Sequence, residues 1–257
     1  AIRTSLGTFP DSGLQLALVD ASSRTLTPFL HAIQRPLLGG GAASSDNEPW
    51  VLASTSQAPR MPTADALAGL WIDHPPLWDV THACQPISPP MQVTESSGNI
   101  LNRLNDSRPL DLLNEVVSGP LMADLDRLGQ CVFIGIDAGE GHWIHRPILG
   151  IDTHEGALAV GEIVQPGQRV VFAFRDPVRA RKDMQDMLNR LQSRIEQPPK
   201  FGLYVEGAGR GADLYGMDGM DTALISAAFP GMALISWSSA CELTPGIGTT
   251  RINLFSG

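Results

Sequence analysis

Cysteine is scarce, with three residues (Cys84, Cys131 and Cys241) in a chain of 257. An odd count at wide spacing builds neither a disulfide framework nor a Cys-x-x-Cys metal knuckle, and it fits buried thiols in a reducing compartment. Positive charge is also short. Acids outnumber bases 27 to 18 and the net charge is −9, so the Lys/Arg array that neutralises phosphates is missing and nucleic acid is not expected as a partner. No run approaches 18 uninterrupted apolar residues, and Ala1-Ile-Arg-Thr-Ser5 lacks the apolar core of a signal peptide. No membrane partner is therefore expected, and the cytoplasm is the expected location. No Gly-x-Ser-x-Gly elbow, Walker loop or His-Glu-x-x-His motif occurs, so nothing points to catalysis. Aromatics are few (five Trp, two Tyr, eight Phe), but apolar residues make up 43% of the chain, enough for one large core or two ordinary ones.

What is present alternates between strand and helix signals. Residues 14–20 alternate and then run apolar, as a strand does, and residues 22–34 carry Leu26, Phe29, Leu30 and Ile33 at helical spacing. Residues 35–43 predict a second strand collapsing into a glycine loop, and the polar, Ser/Pro-rich residues 44–60 read as irregular. In the middle, residues 80–84 and 91–96 predict strands, Ser97-Gly98-Asn99 a turn, and residues 108–117 a helix with Pro109 in its first turn and Leu110, Leu113, Val116 and Val117 on one stripe. Residues 131–137, 157–163 and 169–175 read as strands parted by turn glycines 139, 141, 156 and 167, which makes the middle mainly β. Asp176-Pro177 opens a helix as an N-cap acid followed by a first-turn proline. Met184, Met187, Leu188, Leu191 and Ile195 stripe it as core filling, and Pro198-Pro199 stops it.

Residues 14–43 and 202–236 share a layout of apolar strand, helix and second strand. Each second strand runs on into small residues, Gly39-Gly-Gly-Ala-Ala-Ser-Ser45 and Ser236-Trp-Ser-Ser-Ala-Cys-Glu242. A weak internal duplication follows. The expected fold class is α/β (or α+β), with mixed sheets, flanking helices and two related halves facing a cleft in which the small residues make room for a ligand.

Candidate chemistry concentrates in Phe201-Gly-Leu-Tyr-Val-Glu-Gly-Ala-Gly-Arg-Gly-Ala-Asp-Leu-Tyr-Gly216 and Ala240-Cys-Glu-Leu-Thr-Pro245. An apolar run breaking into glycines lets backbone amides approach a ligand, so Gly209, Arg210 and Gly211 are candidate binding residues. Arg175, at the end of a strand, is a candidate carboxylate clamp, and Glu242 a candidate acceptor for an ammonium group. The set (Arg175, Gly209, Arg210, Gly211, Glu242) suits a zwitterion. The bland readings are a structural Arg175, an exposed loop Arg210 and a solvated Glu242 at a strand end. Gly207-x-Gly209-x-x-Ala212 imitates a dinucleotide fingerprint, but no helical pattern opens directly behind it and no acid ends a second strand about 20 residues on. Asp137, Glu140, His142, His145, Asp152, His154 and Glu155 include metal-ligand types, yet turn glycines flank them and polar hairpin loops account for them, so no metal site is assigned.

Val93-Thr94 with Gly98-Asn99, Ser107-Arg-Pro-Leu110, Ile148-Leu-Gly-Ile-Asp152 with Gly156-Ala157, Phe174-Arg-Asp176, Gly209-Arg-Gly211 with Leu214-Tyr-Gly216, and Glu242-Leu-Thr-Pro245 occur in that order. This ordered set resembles the FIST family of intracellular signal-transduction sensor domains. The likeness runs from about residue 66 to 257, and more weakly over 14–43. It divides the chain into residues 1–65, as the remainder of a shortened N-terminal half, and residues 66–257, with a boundary near 130. One departure is Val205-Glu-Gly-Ala208, where the family commonly carries a Ser-Cys-Asn-Gly-like sequence before Gly-Arg-Gly. The resemblance implies small-molecule sensing, with an amino acid as ligand and a downstream signalling protein as partner. It carries one alternative, haem-based nitric oxide sensing through one of six His or three Cys; an alternative of another class, apart from the resemblance, is a ligand-free adaptor surface.

Overall fold

The computed structural model describes residues 14–21, 26–32, 36–43, 54–55, 58–59, 67–72, 76–117, 119–139, 141–246 and 249–257. Its contacts divide the chain into two compact units, residues 1–81 with 184–257, and residues 82–183. No helix among the described residues is long and apolar enough to cross a membrane.

The first unit starts with β1 (Leu14–Asp20), α1 (Leu26–Ala32) and β2 (Leu37–Ala42), and β1 pairs with β2 in parallel from Gln15↔Leu37 to Asp20↔Ala42. The alternation seen in sequence places Ala17 and Val19 inside while Leu18 stays outside, and the i, i+4 pair Leu26 and Leu30 of α1 packs onto them with Leu37. Residues 44–60 lie largely outside the described residues, apart from the two-stranded ladder of β3 (Ser54–Thr55) and β4 (Ala58–Pro59). Strand β5 (Leu67–Ile72), which no sequence signal announced, runs antiparallel to β1.

The second unit is a closed antiparallel barrel. Its strands are β6 (Cys84–Pro86), β7 (Met91–Ser97) and β8 (Ile100–Leu104). Helices α2 (Pro109–Val116), α3 (Pro120–Ala123) and α4 (Leu125–Cys131) follow, and then strands β9 (Val132–Asp137), β10 (Trp143–Ile151), β11 (Leu158–Val160) and β12 (Arg169–Arg175). The ladder runs β7-β8-β11-β10-β9-β12, and the start of β12 closes it through Arg169↔Gln92 and Val170↔Met91. The end of β12 turns to β6 instead, ending at Arg175↔Cys84. Inward positions repeat every second residue, with Met91 and Val93, Val132, Ile134 and Ile136, and Val170 and Phe172 filling the interior, which Leu113, Val117 and Leu128 of the helical segment complete. The expectation of a mainly β middle therefore holds, and Gly139, Gly141, Gly156 and Gly167 take the positive φ of turns. Two readings change. Residues 80–84 do not form a strand, because Thr81 exchanges both backbone hydrogen bonds with Gly257 in the first unit and barrel pairing begins only at Cys84. Strands β8 and β10 went unread, the second masked by Pro147 and by the polar His145 and Arg146.

Helix α5 (Pro177–Arg194) opens as expected, Asp176 Oδ1 accepting the Arg179 amide at 2.8 Å. The first unit resumes within α5, at Met184, and continues with β13 (Phe201–Gly207), α6 (Ala212–Tyr215), α7 (Met220–Ala228), β14 (Ala233–Ser239), β15 (Cys241–Gly246) and β16 (Thr249–Asn253). Strands β13 and β14 pair in parallel across α6 and α7, the same β-α-β topology as β1-α1-β2. Met184, Met187 and Leu188 pack with Tyr204 and Ile225 as core. Strand β15 runs antiparallel to β2, giving a sheet ordered β16-β15-β2-β1-β5.

The glycines of β2 correct a second expectation. They form no loop, since the strand is paired on both edges and protein atoms stand where each side chain would go, and of the three only Gly39 is among the described residues that border the cavity of this unit. A Cβ on Gly40 would fall 2.4 Å from Ser239 Oγ and 2.7 Å from Val205 Cγ1, and one on Gly41 would fall 2.6 Å from Cys241 Sγ. Gly39 has φ +151° and would place a Cβ 1.8 Å from the Ala17 carbonyl oxygen. Small residues here permit chain-on-chain contact. Gly39→Ala should destabilise the protein by about 3 kcal/mol or more in urea unfolding; a loss below about 1 kcal/mol would contradict this packing.

Candidate functional site

The Gly209-Arg210-Gly211 turn lies between β13 and α6. It starts as a tight turn, the Arg210 amide donating to the Gly207 carbonyl at 2.8 Å, and Gly211 has φ +64°. Its amides are largely consumed by protein acceptors. Gly207 donates to the Ser256 carbonyl, Ala208 to the Ser239 carbonyl and Ala212 to Asp218 Oδ1. A helix does open behind the glycines, contrary to the sequence reading, but it is the four-residue α6.

Arg210 points inward and is 3% exposed, so it is not a solvated loop cation. Its Nε donates to Asp221 Oδ2 at 2.5 Å and its Nη2 to Asp221 Oδ1 at 3.1 Å, a bidentate pair with neither side chain accessible. Both tyrosines of the chain complete the arrangement, Tyr204 donating to Oδ2 at 2.7 Å and Tyr215 to Oδ1 at 2.9 Å. Burial pushes the Asp221 carboxyl up, but hydrogen bonds from Arg210, Tyr204 and Tyr215 and the Arg210 charge outweigh it and hold the group below the usual carboxylate range. Burial raises both phenols. Asp221 is not among the residues the sequence singled out. Its signal there is an acid at the opening of an apolar helix soon after an Arg and two Tyr.

Glu242 belongs to β15, opposite Gly40 of β2 and Asn253 of β16. It is 3% exposed, so it is not a solvated strand-end acid. Oε2 accepts the Ser256 amide at 3.1 Å and the Ser256 hydroxyl at 2.6 Å, whereas among the described residues Oε1 has no hydrogen-bond partner, and neither does Arg210 Nη1. A Cβ on Gly207 would stand 2.7 Å from Oε1, so only glycine fits there. Burial raises the Glu242 carboxyl to about 7, against the lowering effect of the Ser256 bonds and the Arg210 charge.

Glu242 also lines a cavity of about 730 Å³ formed wholly by residues of the first unit. Its walls are mainly apolar: Leu16 and Leu38 from β1 and β2, Met187 and Leu191 from α5, Leu203 and Tyr204 from β13, and Phe229 and Met232 around the end of α7. The structure thus gathers Gly209, Arg210, Gly211 and Glu242 in one unit. Arg175 belongs to the barrel unit, half-buried at the end of β12.

The acid and histidine group disperses. Asp137 accepts the Gly139 amide and pairs with Arg169, Asp152 Oδ1 accepts the His154 and Glu155 amides, and His154 contacts Glu155 at the surface. His145 is the exception to the hairpin-loop reading, because it is buried within β10 and held at about 3 by burial, with His82 and Arg146 adding to the effect. Glu140 lies outside the described residues. Among the described residues, no three His, Cys, Asp or Glu side chains gather as a metal site.

Two stability predictions follow from these acids. Asp221→Ala should cost about 3–5 kcal/mol in denaturant unfolding by leaving the Arg210 charge buried and unmatched, and Arg210→Met with Asp221→Leu should recover much of it; an additive double variant would refute the pairing. Glu242 carries a raised folded-state pKa, so its stabilising effect is complete below about pH 4.5 and is lost as pH rises towards 7. Glu242→Gln should therefore be more stable than the parent by on the order of 2–3 kcal/mol at pH 8, with no advantage at pH 4, in melts at both values.

Comparison with known proteins gives the lineage. Residues 2–107 match the FIST N domain and residues 109–245 the FIST C domain. The chain is 30% identical over 184 residues to "Uncharacterized protein Rv0628c" of Mycobacterium tuberculosis (strain ATCC 25618 / H37Rv), covering 69% of this chain and 48% of the relative. It is 29% identical over the same length and shares to "Uncharacterized protein Mb0898c" of Mycobacterium bovis (strain ATCC BAA-935 / AF2122/97). The matched stretch spans about half the length of these relatives. FIST domains are associated with signal-transduction sensing. With the FIST C match alone extending over more than half of its residues, the chain belongs to the FIST family.

Proposed function

We propose that this chain is a small-molecule-sensing module of a signalling protein, and that its ligand lodges in the cavity of the first unit against Glu242. The observation that carries this is a buried carboxylate, one oxygen unpartnered, in the wall of an otherwise mainly apolar space of about 730 Å³. Ligand sites commonly combine apolar walls with a few polar groups that fix orientation. Glu242 Oε1 accepts a donor from the ligand, best an ammonium, while the apolar walls supply affinity through buried area.

The finer ligand readings fare differently against the geometry. An amino acid supplies the ammonium; its carboxylate would call on Arg210 Nη1, which has no partner among the described residues but lies outside the described cavity lining. Asp221 has already matched the Arg210 charge, however, so that half of the recognition is the weaker one. Haem fits poorly, because the described cavity lining contains no His or Cys and the Tyr204 hydroxyl is committed to Asp221. All three cysteines are free thiols, which supports a reducing location such as the cytoplasm. Transmission of the occupied state to a signalling partner is part of the proposal and rests on family membership.

Thermal unfolding against a panel of amino acids and apolar amines tests the reading. A true ligand at 100 times its dissociation constant adds about 2.7 kcal/mol and raises the midpoint. A flat response across the panel would overturn it.

A further inference from the structure

We infer that the cavity of the first unit takes an amphiphilic amine, an extended apolar body ending in one ammonium group that meets Glu242, with no carboxylate beside that group. The inference rests on reading the cavity as a ligand site and narrows what occupies it.

Size is the first argument. At roughly 30 Å³ per molecule, the space equals about two dozen waters, yet its walls offer few polar partners. Leu16, Leu38, Met187, Leu203 and Phe229 would leave such water poorly bonded. An apolar occupant large enough to displace it gains the area term, and an ordinary free amino acid is short for the space.

Charge is the second. Towards solvent the lining carries the exposed Arg194, Glu196 and Lys200, and the half-buried Asp79, which is paired with Arg190. Inside, Glu242 is the one buried charged residue among the described lining residues, and its Oε1 has no partner. Arg210 acts on Glu242 from outside the lining, but Asp221 already matches its charge. A carboxylate adjacent to the ammonium would thus be set against Glu242 with no buried cation among the described lining residues to receive it, whereas a plain ammonium turns a buried acid into an ion pair.

Glu242, raised by burial to about 7, is faced by groups from each neighbouring element. Strand β2 presents Gly40 and β16 presents Asn253. On β13, Gly207 is adjacent, the Tyr204 phenol is raised, and Glu206 is raised by burial and by the Asp221 charge. Asp221 is held low on α7, and Arg210 stays charged. An aliphatic ammonium keeps its proton throughout pH 6–8, so binding tracks the ionised fraction of Glu242, which falls about tenfold over that interval if the group titrates near 7.

The test uses the whole chain and four probes, dodecylamine, dodecanol, dodecanoic acid and leucine, with binding measured by calorimetry and by tryptophan fluorescence. At pH 8 dodecylamine should bind at least tenfold more tightly than the other three, and its advantage over dodecanol should shrink about tenfold at pH 6. Glu242→Gln should abolish the advantage at both pH values while dodecanol binding persists. If that variant does not fold, the pH series on the parent chain decides alone. Equal affinity for dodecylamine and dodecanol, an advantage that is insensitive to pH, or tighter binding of leucine would overturn the amphiphilic-amine assignment but leave a ligand cavity standing. Failure of all four probes to bind would overturn both readings.

Discussion

The buried pair of Arg210 and Asp221 sets the terms for the rest of the first unit. Taking two ions out of water costs several kcal/mol each, and attraction between them compensates only when geometry and further hydrogen bonds are good. Here Asp221 receives two guanidinium nitrogens and both phenols of the chain. That saturation fixes Tyr204 of β13 against α7 and removes Arg210 from circulation as a mobile cation. Two neighbouring acids then take opposite characters. Asp221 stays ionised because it is paired, and Glu242 hovers near neutrality because burial and two Ser256 bonds are nearly all it has.

The same unit combines very close packing with an open space. At Gly40, the side chains of Ser239 and Val205 come so near that a methyl group would not fit. At Leu38 and Leu203, two residues away along each strand, the same strands border the cavity. Close approach at one level fixes the strands so that bulky side chains can stand apart at the next, which is how a cavity persists in an interior that otherwise packs to crystal-like density.

Local pattern was readable and distant partnership was not. Strand β1, strand β12 and helix α5 could be read because alternation, β-branched runs, an N-cap and a proline are written within a few residues. The repeated β-α-β layout was visible for the same reason, and it reappears as two parallel pairings. The glycines of β2 misled, because a run of three reads locally as a loop, and its cause lies about 200 residues on, in Ser239 and Cys241. Strand β10 was hidden by His145, Arg146 and Pro147, polar or irregular residues that its barrel neighbours accommodate. Of the candidate site, Arg210 and Glu242 were singled out from glycine context and strand ends, but their burial was not legible, and Asp221 escaped because Tyr204, Arg210 and Tyr215, though close in sequence, carry no periodic pattern that shows they converge on it.

The barrel is one uninterrupted stretch of chain, while the first unit is assembled from two stretches on either side of it. Strand β2 therefore waits for β15, and Leu37 for the Thr250 hydroxyl that accepts its amide across 213 residues. At about 5–20 residues per second, a nascent chain would leave that strand edge open for roughly 10–40 s while the barrel closes ahead of it. The order of assembly is thereby written into the connectivity: the central unit can complete first, and the cavity exists only once the last strands have emerged.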